Sequence, residues 1–375
     1  MPSPSVKTLA ALSDDLGSFE LAAELLGADF VGQQGWREDL HFNTKIRSEP
    51  HCDCLAISMP SGGRVFGSDT ADGDWIGGTA ITSRIDALVK SMRPRTLFIY
   101  ARRALLTDRF GATFGELLKL LNQYTVSWKG FNLSWFNIPQ DAHRVTVIAT
   151  LNDNTCQDYD RRLQGFLSEQ IPDKALINFS SLKRQNVADI IHSRTPRIGM
   201  PAPLNNNPYG SSGYCLNGEI FGFHYPIINI PPSYSLLDYL NIKWDMEYPP
   251  EVFSARFTSR NGVKGLSLKT NGLAHSFGPS ISAWPIFAVD RGNLVHLLKK
   301  RELVQWHSTA HGKDIFRLSP TASLALFGPE ALRLGEKLDA VAGGSTRKYE
   351  VASATIPPCI VQEILQSFDR HLTSS

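Results

Sequence analysis

The amino-acid sequence predicts an α/β protein with a doubly wound, mainly parallel sheet and a smaller, irregular, β-rich second region. Between residues 7 and 151, short apolar segments with the length of buried strands alternate with amphipathic helical segments. This rhythm is lost over residues 152–317 and returns from Leu318 onward. We therefore assign residues 1–151 and 318–375 to one domain and residues 152–317 to another.

The elements of the first domain follow one another in βαβ order, which favours parallel strands with helices on both faces of the sheet. The predicted strands are Leu9–Leu12, Asp29–Gly32, Cys54–Met59, Thr96–Tyr100 and Arg144–Leu151. The predicted helices are Glu20–Gly27, Ile81–Met92, Phe114–Leu121 and Val361–Leu372. In the last helix Val361, Ile364, Leu365 and Phe368 form one apolar face.

Composition sets limits on the class of protein. The chain has 375 residues, of which 42% are hydrophobic and 20% charged, and this balance excludes a wholly disordered chain. The net charge of +2 neither demands nor excludes a nucleic-acid partner. Five cysteines without regular spacing predict neither a disulfide framework nor a metal site. With no leader or membrane span evident, we expect a protein of the cytoplasm or nucleoid, or of the nucleus in a eukaryote.

One predicted strand is followed by a loop that contains a serine. The apolar run Cys54–Met59 is stopped by Pro60, Ser61, Gly62 and Gly63. Parallel sheets place their working residues in loops at the carboxyl ends of strands. Ser61 is therefore a candidate functional residue.

Several segments, in the same order along the chain, resemble motifs of the DNA cytosine-5 methyltransferases. In the amino-terminal half, Leu12–Phe19 resembles Leu-Phe-Ala-Gly-Ile-Gly-Gly-Phe, and Pro60-Ser61-Gly62 resembles Pro-Cys-Gln. Arg95–Leu105 takes the place of the strand ending in Glu-Asn-Val, and Asn137–Val145 resembles Gly-Val-Pro-Gln-x-Arg-x-Arg-Val. Near the carboxyl terminus, Leu318-Ser319-Pro320 with Leu326-Phe327-Gly328 resembles Leu-Thr-Pro with Leu-Gln-Gly-Phe, and Ser353–Pro358 resembles Gly-Asn-Ser-Val-Pro-Pro. The resemblance implies a Rossmann-like methyltransferase fold, S-adenosylmethionine as cofactor, double-stranded DNA as partner, and a target-recognition-like domain at residues 152–317.

The catalytic positions implied by the resemblance are altered. Ser61 stands where the family has its nucleophilic cysteine, and Tyr100 and Ala101 replace the Glu-Asn pair that holds the base. Ala142 replaces the first arginine of its motif, whereas Arg144 matches the second. A serine hydroxyl with no adjacent base is a weaker nucleophile than a thiolate. The resemblance therefore predicts that no intact catalytic set remains.

The cofactor positions are altered as well. Gly17 and Phe19 match the family's first motif, but Asp15 and Ser18 replace two of its glycines. Gly35 falls where the family has a carboxylate for the ribose hydroxyls. Added side chains obstruct the close backbone approach that a cofactor loop requires. We expect cofactor binding to be lost.

The region between the two parts of the first domain carries basic clusters beside flexible loops. Arg256, Arg260, Lys264 and Lys269 surround Asn261-Gly262, a predicted hairpin tip. Basic side chains on such a tip suit contacts to DNA phosphates, although a solvated surface explains each cluster equally well.

The sequence favours a catalytically silent relative of the DNA cytosine-5 methyltransferases that acts by binding DNA, a methyltransferase or restriction-modification partner, or both; self-association into a homo-oligomer is also open. The alternative is a divergent DNA cytosine-5 methyltransferase, or a subunit of one, that uses S-adenosylmethionine. A third class is an interaction protein without nucleic-acid contacts, which would show no salt-dependent DNA binding.

Overall fold

A computed structural model describes the parts of the chain on which the fold rests. These are residues 6–36, 52–59, 78–107, 111–136, 138, 140–151, 180–181, 185–186, 207, 209–216, 219–224, 227, 251–255, 266–268, 274–275, 285–290, 303–308, 313–353 and 355–372.

The amino-terminal part alternates strands and helices as predicted. In chain order the elements are β1 (Thr8–Leu12), α1 (Ser18–Leu26), β2 (Asp29–Gln34), β3 (Cys54–Ser58), α2 (Gly78–Met92), β4 (Thr96–Arg102), α3 (Ala112–Leu120), β5 (Tyr124–Asn132), β6 (Gln140–Asp141) and β7 (His143–Leu151). Strand β1 pairs in parallel with β2 and β3, and β3 pairs in parallel with β4. The predicted doubly wound, mainly parallel sheet is thus confirmed.

The far side of this sheet reverses direction. Strand β7 pairs antiparallel with β4 on one side and with β5 on the other, which gives the strand order β2-β1-β3-β4-β7-β5. All nine residues of β5 are buried. The sequence analysis did not identify this strand, because Lys129 and Gly130 interrupt its apolar pattern. Its burial comes from the neighbours that pack against it.

The sheet continues into residues beyond 151. The next strands are β8 (Ser180–Ser181), β9 (Gln185–Asn186), β10 (Ser212–Leu216) and β11 (Glu219–His224). Strand β10 pairs antiparallel with β5, and β11 pairs antiparallel with β10. The ten-stranded sheet therefore contains strands from both sides of the domain boundary predicted at residue 151.

A second sheet provides the predicted β-rich region. The remaining strands are β12 (Glu251–Ala255), β13 (Leu266–Leu268), β14 (Ala274–His275), β15 (Pro285–Asp290), β16 (Leu303–Ser308) and β17 (Lys313–Leu318). Five of them form an antiparallel sheet in the order β13-β12-β15-β17-β16. Strand β14 instead pairs in parallel with β6 and so connects this region to the first part of the chain.

The carboxyl-terminal part returns to the large sheet. Two 3₁₀ segments, Ala322–Phe327 and Pro329–Leu334, precede α4 (Gly335–Asp339), α5 (Ser345–Ser353) and α6 (Pro358–Leu372). Helix α6 contains the predicted segment and begins earlier, with a proline in the first turn, where its missing N–H costs nothing. None of the helices in the described parts of the chain is long and apolar enough to cross a bilayer.

Helices cover both faces of the large sheet, as the βαβ order predicted. Side chains of α2 and α3, including Ile81, Ile85 and Phe114, share one apolar cluster with the strands. Side chains of α1 and α6, including Phe19 and Ile364, share the cluster on the opposite face. Burial on both faces explains why β3 consists of apolar residues and one serine with no exposed position.

Candidate functional site

The parallel strands end together at one edge of the sheet, and the candidate residues Asp15, Gly35 and Tyr100 lie near these strand ends. The chain continues from β1 to β2 on one side and from β3 to β4 on the other, so the order of strands reverses between the neighbours β1 and β3. Ligands of open α/β sheets bind at such a switch point, in the crevice outside the carboxyl ends of the strands. We call this region the switch-point crevice; its described residues are 13–17 after β1, Gly35 and Trp36 after β2, and Met59 after β3.

Asp15 fills the loop that follows β1. Its carboxylate accepts hydrogen bonds from the Ser13 hydroxyl at 2.7 Å, from Gly17 N–H at 2.5 Å and from Ser18 N–H at 2.7 Å. Gly17 and Ser18 begin α1, and free N–H groups at the start of a helix are the usual donors to an anionic ligand. In this chain they donate to a carboxylate of the chain itself.

The same carboxylate is fully enclosed by protein. Asp15 has no exposed surface, and its burial raises its pKa above the usual value. The hydrogen bonds from Ser13, Gly17 and Ser18 and the charge of Lys337 oppose that rise. A buried carboxylate with this set of donors is held firmly in place.

Two further contacts close the loop. The Gln33 side-chain amide donates to the backbone oxygens of Ser13 and Asp15, both at 3.0 Å. On the outer side, Lys337 Nζ pairs with Glu20 Oε2 at 2.6 Å. A Cβ atom added to Gly17 would lie 2.8 Å from that Nζ, so the ion pair covers the backbone of the loop.

Trp36 crosses the switch-point crevice from β2 to β3. Its backbone N–H donates to Asp14 Oδ1 at 2.6 Å, and its indole N–H donates to the carbonyl oxygen of Ser58 at 2.6 Å. Ser58 is the last residue of β3, whereas Trp36 follows β2. Because β1 lies between those strands, the indole passes over the carboxyl end of β1.

Arg84 of α2 fixes Trp36 from the other side. Its guanidinium donates to the Trp36 carbonyl oxygen at 2.8 Å and lies 5.9 Å from the centre of the ring. Only 2% of Trp36 is exposed, and the preceding residue, Gly35, is buried. The sequence analysis identified Gly35 and missed Trp36, since an aromatic residue after a strand carries no signal of the direction in which its ring points.

Tyr100 and Ala101 lie near the end of β4, on opposite faces of the sheet. Tyr100 packs against Phe131, with ring centres 6.5 Å apart, and Ala101 belongs to the other apolar cluster. Burial raises the pKa of Tyr100, while a hydrogen bond from Arg144 and its charge act in the opposite direction. The structure therefore brings together Tyr100 and the matched arginine of the motif, Arg144.

The side chain of Ala142 contributes only packing at its position. It is buried in the apolar cluster beneath α1 and α6, and its N–H donates to Asn132 Oδ1 at 3.3 Å. Gln140, from the same motif, donates its side-chain amide to the Leu326 carbonyl oxygen. These contacts hold the connection between β5 and β7 against the carboxyl-terminal part of the chain.

Some candidate residues lie outside the described part of the chain. Ser61 belongs to the stretch that follows Met59, whose N–H donates to the Tyr100 carbonyl oxygen at 2.8 Å. The predicted DNA contacts, Arg256, Arg260, Lys264 and Lys269, also lie outside the described residues. Their roles stay predictions.

Comparison with known proteins gives one family. Residues 71–216 match the family described as "C-5 cytosine-specific DNA methylase". The matched stretch contains Tyr100, Ala142 and Arg144 and ends at the last residue of β10. Comparison with curated proteins gives no match.

Several solved structures of methyltransferases are similar to this chain. The S. pombe Dnmt2 methyltransferase has 14% identity and a TM-score of 0.49, with 97% of this chain and 98% of that chain covered. The Entamoeba histolytica methyltransferase EhMeth has 9% identity and a TM-score of 0.49, with 98% and 99% covered. A putative DNA modification methyltransferase from an E. coli prophage has 11% identity and a TM-score of 0.46, with 98% and 99% covered.

Proposed function

We propose that the chain is a non-methylating member of the cytosine-5 DNA methyltransferase family, whose model matches residues 71–216, and that it binds double-stranded DNA, alone or beside a methyltransferase partner subunit. The observation that carries the proposal is the switch-point crevice filled by Asp15 and Trp36. Asp15 occupies the N–H groups of Gly17 and Ser18, and the Trp36 indole occupies the carbonyl oxygen of Ser58.

S-adenosylmethionine does not fit the residues present. Gly17 and Ser18 donate their N–H groups to Asp15, and the Trp36 indole lies across the carboxyl end of β1. To bind there, the cofactor would have to displace a carboxylate that accepts three hydrogen bonds and a side chain that is 2% exposed. Breaking hydrogen bonds to a buried charged group costs about 1.5–3 kcal/mol each.

The position of Tyr100 supports the same proposal from the substrate side. In the family a carboxyl group at this position holds the cytosine ring, and here a phenol packed on Phe131 takes its place. Because burial raises the pKa of Tyr100, the phenol stays neutral at physiological pH. The residue at position 100 therefore supplies no carboxyl group for base recognition.

Three measurements on the purified chain test the proposal. We expect no heat of binding with S-adenosylmethionine by calorimetry and no methyl transfer from labelled cofactor to DNA. Duplex DNA should bind with an affinity that falls as salt rises, because phosphate contacts release counterions. Multiple-turnover methylation would overturn the proposal, and DNA binding without a salt slope would remove its DNA component.

A pair of variants separates a filled crevice from a merely missing nucleophile. Ser61→Cys alone should leave methylation undetectable, since the crevice stays filled. Asp15→Gly removes the carboxylate and, if the filled loop is what excludes the cofactor, should bring measurable cofactor binding when combined with Trp36→Ala. Cofactor binding by the unaltered chain would contradict this explanation.

A further inference from the structure

Two arginines face each other across the sheet beside Tyr100. Arg102 is the last residue of β4, and Arg144 lies directly opposite it on β7 in the antiparallel register. Both side chains are half-buried. Directly paired residues of neighbouring strands have Cβ atoms about 5 Å apart, so two like charges meet here.

This pair lacks a balancing acid among the described residues. The ion pairs in those parts of the chain join other side chains. Arg144 donates to Tyr100 and to the carbonyl oxygen of His143, both neutral acceptors. Arg102 Nε is buried without a hydrogen-bond partner. An unpaired buried donor of a charged group destabilises the fold unless something else satisfies it.

The two arginines carry the positive charge of this region, because burial lowers the pKa of nearby Lys129 to about 7. Thr146 of β7 is paired with Tyr100 of β4 on one side and with Lys129 of β5 on the other. Lys129 therefore lies on the same face of the sheet as Tyr100. Burial lowers the pKa of Arg102 and the charge of Arg144 lowers it further, whereas Tyr100 acts in the opposite direction. Guanidinium groups bind phosphate and carboxylate through two parallel hydrogen bonds, so one oxyanion between the pair would satisfy both.

We propose that Arg102 and Arg144 form an oxyanion site that holds a phosphate group of the DNA backbone. This rests on the DNA binding proposed above and assigns to the end of β4 a role in positioning the duplex. Arg102 occupies the valine position of the family's Glu-Asn-Val strand, so the site is a property of this chain. A contact to phosphate positions DNA without reading its sequence.

A salt titration of duplex binding tests the proposal. By fluorescence anisotropy, Arg102→Gln should weaken duplex binding about tenfold and reduce the slope of log K against log salt by about 1. Arg95→Gln is the matched control, because Arg95 is exposed and precedes the opposite end of the same strand. It should change affinity less than about twofold. Arg102→Lys keeps the charge without the planar fork, and should retain the slope while losing affinity.

The outcomes separate this inference from the proposed function. An unchanged slope in Arg102→Gln overturns the inference and leaves DNA binding intact. If the unaltered chain shows no salt-dependent DNA binding, both the proposed binding of DNA and the proposed binding of a DNA phosphate by the two arginines are overturned. A parallel arm uses inorganic phosphate against chloride at equal ionic strength. A rise in Tm of about 2–4 °C with phosphate that is lost in Arg102→Gln supports the oxyanion site. If Arg102→Gln loses this rise but binds DNA as the unaltered chain does, the site holds free phosphate and not a phosphate of the DNA backbone.

Discussion

Lys129 is a lysine enclosed in the middle of a sheet. It lies on β5 between Thr146 of β7 and Ser212 of β10 and is 1% exposed. Burial lowers its pKa from 10.5 to about 7. Between those two pH values the folded state binds fewer protons than the unfolded state, so stability rises with pH across this window.

Lys129→Met should therefore stabilise the protein most below about pH 7, where the buried lysine is charged. We expect a gain on the order of 2–4 kcal/mol there, shrinking as pH rises toward the unfolded pKa of lysine. Urea unfolding at several pH values measures the difference. Lys119→Met, at an exposed lysine of α3, is the control and should show no such trend. A constant gain at all pH values would contradict the assigned pKa.

At the scale of single residues, the sequence indicated part of the candidate site. It identified Asp15 and Gly35 as departures from the family motif, and the structure shows a specific contact for Asp15. Trp36 and Arg102 were missed because their importance depends on which strands are neighbours. That order is fixed by tertiary packing and leaves no mark in the local sequence.

The loop from Ser13 to Gly17 and the start of α1 act as one element. Gly17 has φ +109°, a left-handed conformation that side chains disfavour, and this allows its N–H to point at Asp15. The loop therefore depends on one glycine and one carboxylate together.

Gly17→Ala should destabilise the protein by about 1–2 kcal/mol, since its backbone strain persists even if the flexible Lys337 moves away. Chemical denaturation measures this loss. Gly344→Ala is the matched control, because a Cβ there meets nothing within 4 Å. Equal effects of the two substitutions would show that the loop conformation is not specifically required.

Strands and helices with regular patterns were predictable from sequence, and irregular ones were not. The periodicity located α1, α2, α3 and α6 with shifts at their ends, because end residues are chosen by capping and packing. Strand β5 contains lysine and glycine, residues that a pattern of apolar positions rejects. Its burial between β7 and β10 overrides that local preference.

At the scale of the whole molecule, β5 joins the two parts of the chain. Gly130 N–H donates to the Ser211 carbonyl oxygen at 2.6 Å, immediately before β10. A Cβ atom at Gly130 would lie 2.9 Å from that oxygen and 2.8 Å from Ile227 Cδ1. Only glycine lets the two segments approach this closely.

Gly130→Ala should lower the free energy of unfolding by about 1–3 kcal/mol, because a backbone atom cannot yield as a side chain can. Hydrogen exchange should show the loss of protection concentrated in β10 and β11, whose place in the sheet depends on this contact. Protection in β1 and β3 serves as the internal control. A uniform loss across the sheet would contradict a local role for Gly130.

The indole of Trp36 is part of the protein chain itself, and this affects how the stability of the fold depends on small molecules. A group tethered to the chain is present at an effective concentration that neither dilution nor metabolism can change. A cofactor-dependent fold gains stability as its small molecule accumulates and loses it on depletion. Because Trp36 and Asp15 supply their own contacts at the switch point, we expect the folded fraction to stay constant when the supply of S-adenosylmethionine varies.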